Sequence, residues 1–196
     1  MPKSLVITPH IASQIRAGVG DDNLDVSNFA VFEAVFLSTK PLNKRGSIFQ
    51  GARVSRATLG EMAAHLNTPG NAIHLHTLHQ QGDELPVGRA FFAQVEDLPD
   101  GNSQLRGLFY VPRDKTDLVA SLEQSVIDEV SVGLRTKQML CSTCGFDFGG
   151  PDASFQNFWE QTCPEGHTIG VDGTHLQMEG LDQWLELSLV SRGASP

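Results

Sequence analysis

The sequence predicts a mainly β (α+β) fold: a small closed β-barrel with a few helices and one inserted cysteine-rich module. Three observations carry that expectation. Several short segments alternate apolar and polar residues or are rich in β-branched and aromatic ones, as strands require. Two of them flank Leu98-Pro-Asp-Gly101, a strong hairpin signal. All three cysteines fall between 141 and 163, where the strand pattern stops before resuming further on.

Residues 1–28 read as an N-terminal arm, with 11–27 polar and Gly/Asp-rich, hence a loop. Residues 29–37, Phe-Ala-Val-Phe-Glu-Ala-Val-Phe-Leu, form a strand by composition. Residues 40–51 are basic and punctuated, a second loop. Thr58-Leu-Gly-Glu61 has the pattern of a capping box and starts a helix running to 66, which Asn67-Thr-Pro-Gly70 ends. Residues 72–79 alternate, with Ile73, Leu75 and Thr77 on one face and His74, His76 and Leu78 on the other. Residues 87–95 and 104–111 make the hairpin. Helical spacing of Leu118, Val119 and Leu122 predicts a helix over 114–125. Residues 127–139, 175–178 and 184–190 are strand-like. The domain division is therefore 29–139 with 171–196 for the barrel, and 140–170 for the insertion.

Composition narrows the function classes. Fourteen basic against 23 acidic residues give a net charge of −9 and a pI near 5.1. Phosphate contacts need clustered Lys and Arg, so a nonspecific nucleic-acid binder is excluded and no nucleic-acid partner is expected. No apolar run reaches membrane-spanning length, so no membrane association is expected. The first residues lack the apolar core of a signal peptide, so the expected setting is cytoplasmic.

Cys141-Ser-Thr-Cys144 and Cys163-Pro-Glu-Gly-His167 are two close pairs separated by a short loop. Two such turns can aim four ligands at one tetrahedral ion, and four protein ligands leave no position for water. The expectation is a structural zinc held by Cys141, Cys144, Cys163 and His167. Gly145 and Gly166 give those turns their backbone freedom. Phe146, Phe148, Phe155, Phe158 and Trp159 crowd the intervening loop and are expected to form its small core.

Three of the seven histidines fall at His74, His76 and His79. A His-x-His pair on a strand suits a second metal site. One imidazole could instead act as general base for a hydroxyl nucleophile, or all three could be incidental on a half-exposed strand. Ser131 sits inside the strand pattern Asp128-Glu-Val-Ser-Val-Gly-Leu134 and has no nucleophile-elbow context.

Three segments in order resemble a known family. They are the His-ending strand before Leu85-Pro-Val-Gly88, the Val130-Ser-Val-Gly133 strand, and the closing Trp184-Leu-Glu-Leu-Ser-Leu-Val190 strand. Together they look like the prohead (capsid maturation) proteases of tailed phages, which share the small β-barrel of herpesvirus assembly proteases. The resemblance covers roughly 29–194, without the cysteine insertion. It implies Ser131 as nucleophile, His79 as base with His76 and then His74 as alternatives, Glu186 as the orienting third residue, and Arg192 near the oxyanion. It implies a serine endopeptidase that cleaves capsid and scaffold proteins, and sometimes itself, inside the assembling prohead in the host cytoplasm. The rival reading is a non-catalytic virion or assembly protein that keeps the barrel and docks through its zinc ribbon.

Overall fold

The computed structural model describes residues 1–44, 47–77 and 85–190. The chain is mainly β with a few helices. In order it forms β1 (Lys3–Leu5), α1 (Pro9–Val19), β2 (Phe29–Ser38), β3 (Arg53–Val54), α2 (Arg56–Leu66), β4 (Ile73–Thr77), β5 (Gly88–Asp97), β6 (Ser103–Pro112), α3 (Thr116–Glu123), β7 (Glu129–Cys141), α4 (Phe155–Glu160) and β8 (Leu176–Val190).

The expected closed barrel is not what forms. Hydrogen-bonded neighbours run β1-β2-β6-β5-β4-β8, and the long β8 takes β7 antiparallel and β3 and β4 in parallel. Among the described residues β7 pairs with β8 and with no other strand. β2 and β7 approach each other without forming a ladder. The seam between them is instead an apolar cavity of about 190 Å³ lined by Phe36 and Leu37 of β2, residues 130–134 of β7, and Leu42, Phe49, Val54 and Met178. Bulky side chains occupy the place of the closing hydrogen bonds.

Both faces of the sheet are covered. Ala30, Phe32, Ala34 and Phe36 enter the main core with Leu59, Met62 and Leu66 of α2. Val31, Phe91 and Tyr110 pack with Ala12 and Ile15 of α1 in a second cluster. Burial on two sides explains why β2 reads as a nearly unbroken apolar run.

The N-terminal loop expected over 11–27 is also corrected, because its first half is helical. Thr8 caps α1 by accepting the Ile11 N–H at 3.3 Å, Pro9 sits in the first turn, and Gly20 ends the helix at φ 79°. Proline fits the first turn, where an N–H has no helical acceptor, and glycine adopts the left-handed cap without a Cβ clash. The apolar stripe is narrow, Ile11, Ala12, Ile15 and Val19, and polar neighbours mask it. Helix α2 starts three residues before the sequence signal. Ser55 is its cap, accepting the Thr58 N–H at 3.1 Å. Buried Thr58 instead accepts the Gly180 N–H at 2.8 Å, fastening the helix to β8. Among the described residues no helix is long and apolar enough to cross a membrane.

Candidate functional site

Two candidate sites lie along one long hairpin. β7 and β8 pair along almost their whole length, from Glu129↔Val190 to Cys141↔Leu176. The cysteine module is the extended tip of that hairpin.

At its open end, register places the candidate polar residues in rows. Ser131 pairs with Ser188 across β7–β8, and His76 pairs with Ser188 across β4–β8. Residues directly opposite in a ladder share a face, so Ser131, Ser188 and His76 form one line over three strands. Adjacent strands are ~4.8 Å apart, which puts Ser131 and His76 roughly 10 Å apart at Cα with Ser188 between. Gly133 pairs with Glu186 two residues along. A Cβ at Gly133 would lie 2.7 Å from Glu186 Cγ and 3.3 Å from its Oε1, so the Glu186 side chain rests on the bare glycine. His74 belongs to the same face, its ring centroid 6.3 Å from that of His76 at 69°. Burial holds the His74 imidazole below its ordinary pKa, aided by repulsion from Arg89 and His76.

A bulge directs Glu186. Gly133 faces Glu186 while Leu134 faces Trp184, leaving Leu185 as the extra residue. Trp184 is buried, packs edge-on against Phe36 at 6.2 Å, and donates its indole N–H to the Glu186 carbonyl at 3.0 Å. The backbone beside the carboxylate is therefore anchored to the core. Ser131 is partly buried and contributes to the lining of the apolar seam cavity, so it is not sealed in the interior. Among the described residues no side-chain hydrogen bond joins Ser131 to His74 or His76; the constellation is an alignment of strands. His79 and Leu78 of the expected alternation, and Arg192, lie outside the described residues.

Ser188 was not singled out from sequence. It is fully buried, and among the described residues its Oγ has no hydrogen-bond partner. A buried, unpaired hydroxyl costs about 1–3 kcal/mol, and this one stands between the serine and histidine strands. Its only sequence trace is a serine in an otherwise apolar run, which is common in ordinary strands.

At the tip, Cys141, Cys144, Cys163 and His167 converge, with all four ligand atoms within 4.8 Å of one another. None of the cysteines is in a disulfide. Cys144 Sγ is 3.6 Å from Cys163 Sγ, and Cys163 Sγ is 3.4 Å from His167 Nδ1. A tetrahedral ion with metal–sulfur bonds of about 2.3 Å and metal–nitrogen bonds of about 2.0 Å separates such atoms by about 3.7 and 3.5 Å. These two distances are close to those values, and the four residues could hold a metal ion. Gly145 and Gly166 turn the chain at φ 78° and 82° as expected. Burial opposes ionisation of Cys163, but hydrogen bonds from the backbone of His167 and Glu165 and from Cys144 outweigh it and bring the thiol down to about 7. The backbone of Phe146 favours a Cys144 thiolate, yet burial and the neighbouring sulfurs push that thiol up. A cation between them removes that conflict.

The small core expected in this loop is only half present. Phe146 and Phe148 meet edge to face at 5.3 Å, and Phe148 joins the main core with Ile169. Phe155 and Trp159 instead stand 80% and 75% exposed on α4.

No protein-family model, curated protein or solved structure matches the chain.

Proposed function

We propose that the chain is a serine endopeptidase of tailed-phage head assembly, cutting scaffold protein or the arm of the capsid protein inside the prohead. The observation that supports this reading is the cross-sheet alignment of Ser131, Ser188 and His76, with Glu186 laid over Gly133 in the next row. Those residues carry the chemistry that the motif resemblance implies, on adjacent strands beside an apolar cavity.

In this mechanism a histidine of the 74–79 stretch takes the Ser131 proton as Oγ attacks the scissile carbonyl, then returns it to the leaving amine. His76 is the base that the register favours; His79 is the one that the resemblance favours. Glu186 orients the imidazole and stabilises its cationic form. Because β7 is an edge strand among the described residues, an extended substrate segment can run beside it, with apolar side chains directed to the seam cavity. Zinc is the metal that the Cys3His set suits, in a closed structural role.

The decisive experiment incubates purified wild-type and Ser131→Ala protein with the cognate capsid and scaffold proteins and follows the products by gel. Defined fragments from the wild type alone support the proposal. Equal cleavage by Ser131→Ala, with both proteins free of contaminating protease, removes it.

A further inference from the structure

The hairpin tip carries a surface that neither the fold nor the hydrolytic reading uses. Helix α4 buries none of its residues. Its aromatic residues Phe155, Phe158 and Trp159 recur at i, i+3 and i+4 and so share one face, and they are 80%, 37% and 75% exposed. Phe155 and Trp159 stack at 6.1 Å and 25°. Val171, 50% exposed, adds to the apolar surface of the same module. The face is held in place from behind. Ser154 and Asn157 form a reciprocal capping box, and Asn157 Nδ2 donates to the Thr162 carbonyl at 3.0 Å. Exposed aromatics on a fixed backbone mark a recognition surface rather than a packing defect.

Charge says what covers it. Residues 141–175 contain no Lys or Arg and five acids, Asp147, Asp152, Glu160, Glu165 and Asp172; all but Asp147 are exposed. With a divalent ion bound, three thiolates around it would add further negative charge. A nucleic acid or an anionic lipid is repelled by such a surface. So is a second copy of this chain, which would bring the same acidic module and a net charge of −9.

We infer that the α4 face docks a cationic, apolar segment of another protein, with Phe155 and Trp159 as anchors and Glu160 and its acidic neighbours as the charged rim. Aromatics suit both contacts, since Trp also receives Lys and Arg over its ring.

The test uses the metal-loaded full chain and a labelled amphipathic Lys/Leu peptide of about 15 residues, with a Glu/Leu peptide of the same pattern as control. Binding is followed by anisotropy and by emission of Trp159, which is exposed while Trp184 is buried. The expected result is binding of the Lys/Leu peptide with a blue shift. Affinity falls at least ~10-fold in Phe155→Ser/Trp159→Ser and also at high salt, with circular dichroism and metal content unchanged. Because α4 is unburied, this variant keeps the fold. Equal affinity for the Glu/Leu peptide, or for the double variant, overturns the inference. So does a concentration-dependent dimer in sedimentation that the double variant abolishes, which assigns the face to a second copy.

Discussion

Gly133→Ala is the sharpest probe of the proposed hydrolytic site. The new methyl would sit 2.7 Å from Glu186 Cγ and 3.3 Å from Oε1, where carbon atoms ordinarily rest at about 3.5–4.0 Å. Glu186 must therefore give way by about 1 Å, and it must do so near its backbone end, because Cγ rather than the mobile carboxylate is struck. Trp184 holds the neighbouring backbone through its bond to the Glu186 carbonyl, so the side chain has to change rotamer. Overpacking of this kind costs about 1–3 kcal/mol, roughly 2–12 °C in Tm for a domain of this size. A 1 Å displacement of a positioning group lowers turnover about 100-fold. The assay is hydrolysis of a substrate peptide beside a thermal melt, with Glu186→Ala and the double variant completing a cycle. The double variant should regain the lost stability, since nothing remains to clash, but not the activity. Full turnover in Gly133→Ala would show that Glu186 does not orient the base.

Further expectations concern the metal, pH and the buried hydroxyl. Cys163→Ser should lose the metal and loosen residues 142–175, seen as fast amide exchange there, while hydrolysis of a short peptide stays within about 3-fold; metal content unchanged from wild type would contradict the ligand assignment. The Arg56 guanidinium, the Ser103 hydroxyl and the Arg56 charge hold Asp97 at about 2 against an ordinary 3.8. A depressed carboxylate contributes its stability above the unfolded value and loses it as pH falls from about 4 through 2. Arg56→Ala should therefore flatten that part of an acid titration, and an unchanged titration curve would mean the pair does not persist in solution. Ser188→Ala should be neutral or up to about 1 kcal/mol stabilising by urea denaturation, because it deletes an unpaired buried hydroxyl; a clear loss of stability would reveal a partner.

The sequence made the strands legible where one face is buried and a turn is marked, as in the hairpin about Leu98-Pro-Asp-Gly101. It made the candidate metal group legible because Cys and His at knuckle spacing have few other uses, and the four side-chain atoms converge. It concealed α1, whose apolar stripe is narrow and whose caps, Thr8 and Gly20, lie among other polar and glycine residues. Barrel closure could not be read from periodicity, since period-two alternation says which face is buried but not whether the last strand meets the first. The seam between β2 and β7 depends on the volumes of Phe36, Phe49 and Met178, set by tertiary packing. The row through Ser188 was equally hidden, because it needs the parallel register of β4 on β8, a pairing between segments more than a hundred residues apart. For the same reason the alternation of 73–77 placed His74 and His76 on one face, yet could not say which strand that face would meet.

The two candidate sites share a hairpin but lie well apart along it. Ser131 and Cys141 are both on β7, ten residues apart and so about 34 Å along an extended strand. Between them the ladder slips twice, at Gly133/Leu134 and at Arg135/Thr136. Each slip bends and twists the strand locally. The first slip is also the bulge that presents Glu186. More than 30 residues separate Cys141 from Leu176 at the hairpin tip, yet the pairs on either side of Ser131, Val130↔Leu189 and Val132↔Leu187, stay in register.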